Sequence, residues 1–151
     1  MSAEAQWDLE VRSKKSARYA IATAVVLLIS HLAVAFLLRI TPTGVYFRTA
    51  DQIALAGLGV LMASLALLLT RPRIRVGPAG VAVRNLLSEP PIEWDLARGL
   101  SFPEGAIWAR VDIQDDEFIS VMAIQPNDND HAVAAVRAFR SLEKKYAGAQ
   151  S

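Results

Sequence analysis

The run "YAIATAVVLLISHLAVAFLL", Tyr19 to Leu38, contains no charged residue. At about 1.5 Å of rise per residue, a helix of that length crosses a hydrocarbon layer roughly 30 Å thick. A second run, "IALAGLGVLMASLALLL", extends from Ile53 to Leu69, and Gln52 and Thr70 can carry its ends into the interfaces. Neither run has an internal proline. Hydrophobic residues make up 53% of the 151-residue chain and are concentrated in these blocks, which points to a local cause rather than a large core. A cleaved signal peptide does not fit the first block. Its apolar stretch is too long, and no convincing small-residue cleavage site precedes the next polar segment. The sequence therefore predicts two transmembrane helices, with room for one small domain beside that anchor.

Flanking charge orients the pair. Arg12, Lys14, Lys15 and Arg18 precede the first span, and Arg71, Arg73, Arg75 and Arg84 follow the second. The connecting stretch "RITPTGVYFRTAD" has only Arg39 and Arg48. Basic residues favour the cytoplasm, so both termini are expected inside, with Tyr46 and Phe47 at the outer interface of a twice-crossed inner (plasma) membrane. Arg12, Lys14, Lys15, Arg18, Arg71 and Arg73 either serve topology alone or also contact anionic lipid headgroups, at about 1 kcal/mol per basic residue near the surface. Trp7 would add an interfacial anchor, whereas Glu4, Asp8 and Glu10 dilute the charge.

Beyond the second span the hydrophobic period changes. Pro72 stops the helix near Thr70. "RIRV" reads as a first strand, "GPAG" (Gly77 to Gly80) as a tight turn, and "VAVRNLL" as a second strand, with Val81 and Val83 on one side and Asn85 a candidate third. In "PIEWDL", Ile92, Trp94 and Leu96 alternate with Glu93 and Asp95, which predicts a half-buried strand. A short strand is expected within Arg98 to Phe102. "IWARVDI" alternates Ile107, Ala109, Val111 and Ile113 against polar neighbours, "QDDE" makes an acidic turn, and "FISVMAIQ" is the last strand. Asp128, Asn129 or Asp130 then caps a helix whose apolar face carries Ala132, Val136, Phe139, Leu142 and Tyr146. Trp94, Val136, Phe139 and Leu142 are the expected core. The predicted organisation is an N-terminal cytoplasmic segment (1–18), a transmembrane hairpin (19–70), an α+β domain (71–147) and a tail (148–151).

Strands followed by one C-terminal helix, with "RPRIRVGPAGVAVRN", "PPIEWDLARGLSF" and "VMAIQP" after two spans, resemble the small bacterial PH-domain membrane proteins of actinobacteria. The mycobacterial low-molecular-weight antigen group belongs there. The similarity covers roughly residues 71–142, about half the chain, and its most telling elements are the Ala79-Gly80-Val81 turn and the Ile92-Glu93-Trp94 strand. These mark a fold rather than a catalytic motif. The resemblance implies a six- or seven-strand barrel-like sheet closed by a helix, with no enzyme chemistry. It does not bring a phosphoinositide site: the "GPAG" loop is uncharged, and residues 71–151 hold ten Lys or Arg against eleven Asp or Glu. A phosphate reader needs convergent cations.

Little else in the chain suggests chemistry. With no cysteine, thiol catalysis, a cysteine zinc site and a disulfide framework are excluded, which fits a reducing compartment. His131 sits beside Asp128 and Asp130, and a solvated first-turn histidine fits it better than a metal ligand. The acidic residues 115–117 read as a hairpin tip, because calcium needs a longer loop of spaced oxygens. There is no Walker loop, GxGxxG or nucleophile motif, and "GLG" at 57–59 lies within a span. A net charge of +1 and the lack of a basic face or aromatic platform argue against nucleic acid. No catalytic residue, metal or cofactor is assigned, and no small-molecule ligand is expected.

His31 is an ionisable residue inside a span, and polar groups there are functional candidates by default. It lies about 4 Å outward of the span's middle, a depth that falls in an antiparallel partner near Leu58, beside Gly57 and Gly59. Ala56, Gly59, Ala63 and Ala66 form a small-residue stripe suited to close helix packing. His31 either bonds a neighbouring carbonyl or hydroxyl as a neutral imidazole, or contacts a haem or quinone or relays a proton in a larger assembly.

The expected function is a non-catalytic membrane adaptor or accessory subunit of an envelope-biogenesis or respiratory complex, contacting membrane lipids and a membrane protein partner. The alternative is a sensor of anionic headgroups. An enzyme ranks third, since no acid–base pair can be assigned. On topology, cysteine placed at Thr43 should react with an impermeant maleimide in intact cells and cysteine at Ser88 should not. The reverse labelling would put the folded unit outside.

Overall fold

The computed structural model describes residues 6–40, 44 and 46–148; Glu4, positions 41–43 and 45 of the expected outer loop, and the tail beyond Gly148 lie outside them. Residues 16–70 form one compact unit. The second joins the N-terminal residues up to Lys15 to everything from Arg71 onward.

The first unit is a helix pair. Helix α1 (Lys14–Ile40) enters it at Ser16, and α2 (Thr49–Leu67) continues as a tight turn over Leu68–Thr70. Both are long and apolar enough to cross a membrane. Asp51 starts α2 by accepting the Arg48 N–H at 2.9 Å, and its negative charge suits the helix N-terminus. The end of that segment at Thr70 agrees with the stop imposed by Pro72. Ile21, Val26, Ile29, Phe36 and Leu61 are exposed in this unit, as lipid-facing side chains would be.

The second unit contains two antiparallel sheets and one helix. Strands β1 (Leu9–Val11), β2 (Arg73–Gly77), β3 (Gly80–Arg84) and β4 (Pro91–Ile92) pair in that order. Strands β5 (Ala97–Ser101), β6 (Ala109–Ile113) and β7 (Phe118–Val121) form the other sheet, and α3 (Asp130–Tyr146) follows. The β2–β3 turn needs both its glycines. A Cβ on Gly77 would strike the Gln6 carbonyl, and one on Gly80, at φ +133°, would strike that of Ile92. Asp115 and Asp116 take positive φ in the acidic turn, which short polar side chains tolerate best.

Trp94 organises the core. Its indole Nε1 donates to the Gly77 carbonyl at 2.9 Å, and its ring lies 6.1 Å from Phe139 and 6.4 Å from Tyr146. Val76, Val81, Val111, Val121 and Ile124 are fully enclosed around them, with Val136 and Leu142 packed at the margin. One amide bridges the two sheets. Asn85 Nδ2 donates to the Ser120 carbonyl at 2.8 Å, and its Oδ1 accepts the Met122 N–H at 3.1 Å.

Several elements differ from the sequence reading. The N-terminal segment supplies a strand, β1, which pairs with β2 in the register Leu9–Val76 and Val11–Ile74. The expected strand through Leu96 stops at Ile92. The Leu96 and Ala97 N–H groups both turn back to the Glu93 carbonyl, which swings Trp94 inward and leaves Leu96 exposed. The second strand ends at Arg84 rather than Leu87, where Asn85 reaches for β7. Ile107 lies outside β6 and is exposed, since pairing begins where the Ala109 N–H reaches the Ile124 carbonyl. The last strand ends at Val121, because Ile124 N–H folds back onto its carbonyl.

Trp94→Ala and Phe139→Ala should each cost about 3–5 kcal/mol as buried aromatic truncations. Trp94→Phe should cost about 1–3 kcal/mol by stranding the Gly77 carbonyl. Denaturant unfolding of the full chain in micelles, followed by near-UV circular dichroism, gives the comparison; unchanged midpoints would contradict this packing.

Candidate functional site

Among the described residues no three His, Cys, Asp or Glu side chains gather as a metal site. The surfaces that remain are a notch in the helix pair, an arginine cluster on the four-stranded sheet, and a groove beside α3.

In the helix pair, the small-residue face of α2 is its least exposed side: Gly59 and Ala63 are buried, Ala56 and Ala66 half-buried. His31 sits against Gly59. A Cβ at that glycine would lie 2.6 Å from the His31 Cβ, so even alanine would push the helices apart. Gly57 meets nothing. His31 Nδ1 is 2.7 Å from the Leu27 carbonyl, and because a carbonyl can only accept, Nδ1 is the donor there. The residue lines a hollow of about 190 Å³ with Ser30, Val34 and Leu55.

On the four-stranded sheet, three guanidinium groups surround one carboxylate. Arg73 and Arg75 each fork onto Glu89 at 2.5–3.1 Å, and Arg84 reaches it at 4.0 Å. Glu10, brought in by β1, adds weaker contacts to both forked arginines and holds Arg12 at 2.7 Å. Arg75 also lies over the Trp7 ring at 5.4 Å. Glu89 is 15% exposed and Arg73 16%, so these charges are spent on each other in a largely desolvated place. Of the six basic candidates for lipid contact, Arg12 and Arg73 are thus ion-paired. The Lys15 ammonium meets the Asn127 carbonyl, while Lys14, Arg18 and Arg71 are exposed and form no ion pair among the described residues.

The start of α3 is tied to the N-terminal segment. His131 Nε2 donates to the Arg12 carbonyl at 3.0 Å, and buried Asp128 accepts the Lys15 N–H through Oδ1 at 3.0 Å. Beside this lies a groove of about 370 Å³, lined by Phe102, Pro126, Asn129, Ala132, Val133, Val136, Arg137 and Arg140. At the far end of α3, Glu143 approaches the open backbone of Gly99. Burial raises its carboxyl pKa above the ordinary 4.5, partly countered by Arg140. Trp94, Val136, Phe139 and Leu142 share one core, with Val136 also reaching the groove.

Sequence reading missed Glu89 and the groove, and it gave Glu10 and Asn85 other roles, diluting the basic flank and facing with Val81 and Val83. "SEPP" gave only a chain break, and no local pattern tells which arginines will converge on Glu89. The groove needs β5 and α3 to be brought together first.

The family described as "Bacterial PH domain" matches residues 71–142. Proteins of Mycobacterium tuberculosis and Mycobacterium bovis, each called an uncharacterized protein, are 46% identical over 93% of this chain and 91% of their own length. No solved structure matches.

Gly59→Leu should part the two helices, whereas Leu68→Ala should not. Cysteines replacing Val34 and Leu55, which line one hollow of the helix pair, should cross-link within one chain, and Gly59→Leu should abolish that product. Cross-linking between chains only would contradict the intramolecular pair.

Proposed function

The chain belongs to the bacterial PH-domain family, and from that premise we propose that it is a non-catalytic membrane adaptor. In this reading two spans anchor the PH-like domain at the cytoplasmic face, where it binds a protein partner. The finer version is an accessory subunit of a larger membrane complex, such as an envelope-biogenesis or respiratory assembly. The packable face of α2 and the hollow that His31 lines support it.

The observation that carries the adaptor reading is the Glu89 cluster. A headgroup reader needs arginines free to converge on phosphate. Here Arg73 and Arg75 are already held by carboxylates of the same domain. The pairing of β1 with β2 supports two crossings, because the segments before α1 and after α2 share one sheet and so one side of the membrane. The basic flanks favour the cytoplasm for that side.

The lipid-sensor alternative draws on exposed Lys14, Arg18 and Arg71. Hydrogen exchange of the full chain in nanodiscs separates the two. Under the adaptor reading, exchange across β2, β3 and α3 is the same in phosphatidylcholine and phosphatidylglycerol, and a defined protein co-purifies with the tagged chain in mild detergent. Protection that appears only on phosphatidylglycerol, with no co-purifying protein, would favour the sensor.

A further inference from the structure

We infer that the groove between the end of β5 and the first half of α3 docks an extended acidic–apolar segment of a protein partner, which adds as a strand to the free edge of β5. This rests on the adaptor reading and gives it a surface and a partner chemistry.

Strand β5 is an edge: it pairs only with β6, and among the described residues no other backbone hydrogen bond reaches Arg98 to Phe102. Exposed edges are usually blunted by bulges, charge or a covering element. The first half of β5 is treated in that way, with a register shift between Ala97 and Gly99 and Glu143 over the glycine. The second half instead runs into the groove at Phe102, which is 40% exposed. Unpaired N–H and C=O groups beside an apolar trough are what an added strand uses, main chain for affinity and alternate side chains for selection.

The trough selects the side chains. Phe102, Pro126, Val133 and Val136 give an apolar floor, with Val133 50% exposed. Arg137 and Arg140 stand exposed on the rim, and neither makes an ion pair among the described residues, in contrast to the paired arginines on the other sheet. Three residues apart on a helix, they are separated by about 4.5 Å along its axis. Carboxylates on one side of an extended segment repeat at about 6.8 Å, within reach of two flexible guanidinium forks. A run alternating acidic and apolar residues therefore satisfies edge, floor and rim together. A lipid headgroup would meet the arginines but leave the β5 backbone unused.

The chain has no cysteine, so Val133→Cys gives a unique attachment point for a benzophenone maleimide. In membranes carrying the full chain, irradiation should yield a cross-link that mass spectrometry maps to an acidic–apolar stretch of the co-purifying protein. Leu87→Cys should not yield it. For a defined probe, fluorescein-labelled Glu-Val-Glu-Val-Glu-Phe-Glu should bind the full chain in micelles saturably by anisotropy. Arg137→Glu with Arg140→Glu should weaken binding about tenfold or more through lost charge-assisted bonds. Lys144→Glu should leave it unchanged, and a peptide with its valines replaced by proline should not bind. Val133→Asp is the second variant, expected to weaken binding without touching the arginines. Equal binding of a Lys-for-Glu peptide, binding indifferent to the arginine change in a folded variant, or no saturable binding would overturn the inference. So would displacement by short-chain phosphatidylglycerol without any peptide-edge requirement, or a cross-link only to a second copy of this chain. If a partner co-purifies equally with the folded double-arginine variant, the groove is rejected while the adaptor reading stands; if no partner co-purifies with the parent, that reading fails by itself.

Discussion

The pairing of β1 with β2 is the constraint on which the rest of this molecule depends. Leu9, Glu10 and Val11 align with Val76, Arg75 and Ile74, although the whole helix pair lies between them in the chain. The domain is therefore not appended to the end of the apolar helix pair. Its first strand is made before the two helices and its remaining strands after them. A chain beginning at Arg71 would expose the edge of β2 and lose Val11 from the core and Glu10 from the arginine cluster. An exposed, flat edge invites wrong pairing, so β1 protects the sheet as well as enlarging it.

The same strand sets the electrostatics. Arg73 and Arg75 follow the second apolar helix, where basic residues are the usual topological signal. With β1 and the loop carrying Glu89 folded over them, the guanidinium groups are ion-paired and mostly withdrawn from water. A basic flank read from sequence is thus not the same as free positive charge on the folded surface. The exposed arginines of α3 make no ion pair among the described residues, although Arg140 acts on Glu143 at longer range, and they stand beside an apolar trough.

Much of the fold was legible because its signals are local. Uninterrupted apolar runs gave the two helices, alternation gave β6, turn residues between apolar stretches set off β2 and β7, and the spacing of Ala132, Val136, Phe139 and Leu142 gave the buried face of α3. The failures share a cause. Trp94 alternates like a strand residue with Ile92 and Leu96, yet it reaches the core through a turn, because its indole N–H finds the Gly77 carbonyl. Alternation reports which side chains are apolar, not whether the backbone carrying them is paired. Leu9 and Val11 also alternate, with Glu10 and Arg12 between them, but so short a stretch carries no weight until β2 is there to receive it. The helix-pair geometry belongs to the first kind of signal: small residues mark where a bulky neighbour can approach, and Gly59 is where His31 does. The groove belongs to the second, since its walls come from distant parts of the chain.

Closure across the helix pair also bears on how the domain forms. Bringing β1 to β2 through a flexible loop would carry an entropy cost that grows only slowly with loop length, by about 0.6 kcal/mol per doubling. Here the intervening chain is two helices packed through Gly59 and His31 rather than a flexible loop, so the loop-length scaling does not apply to it as it stands. Glu10, in a strand of three residues, thereby comes to Arg73 and Arg75 although both helices separate them in the chain.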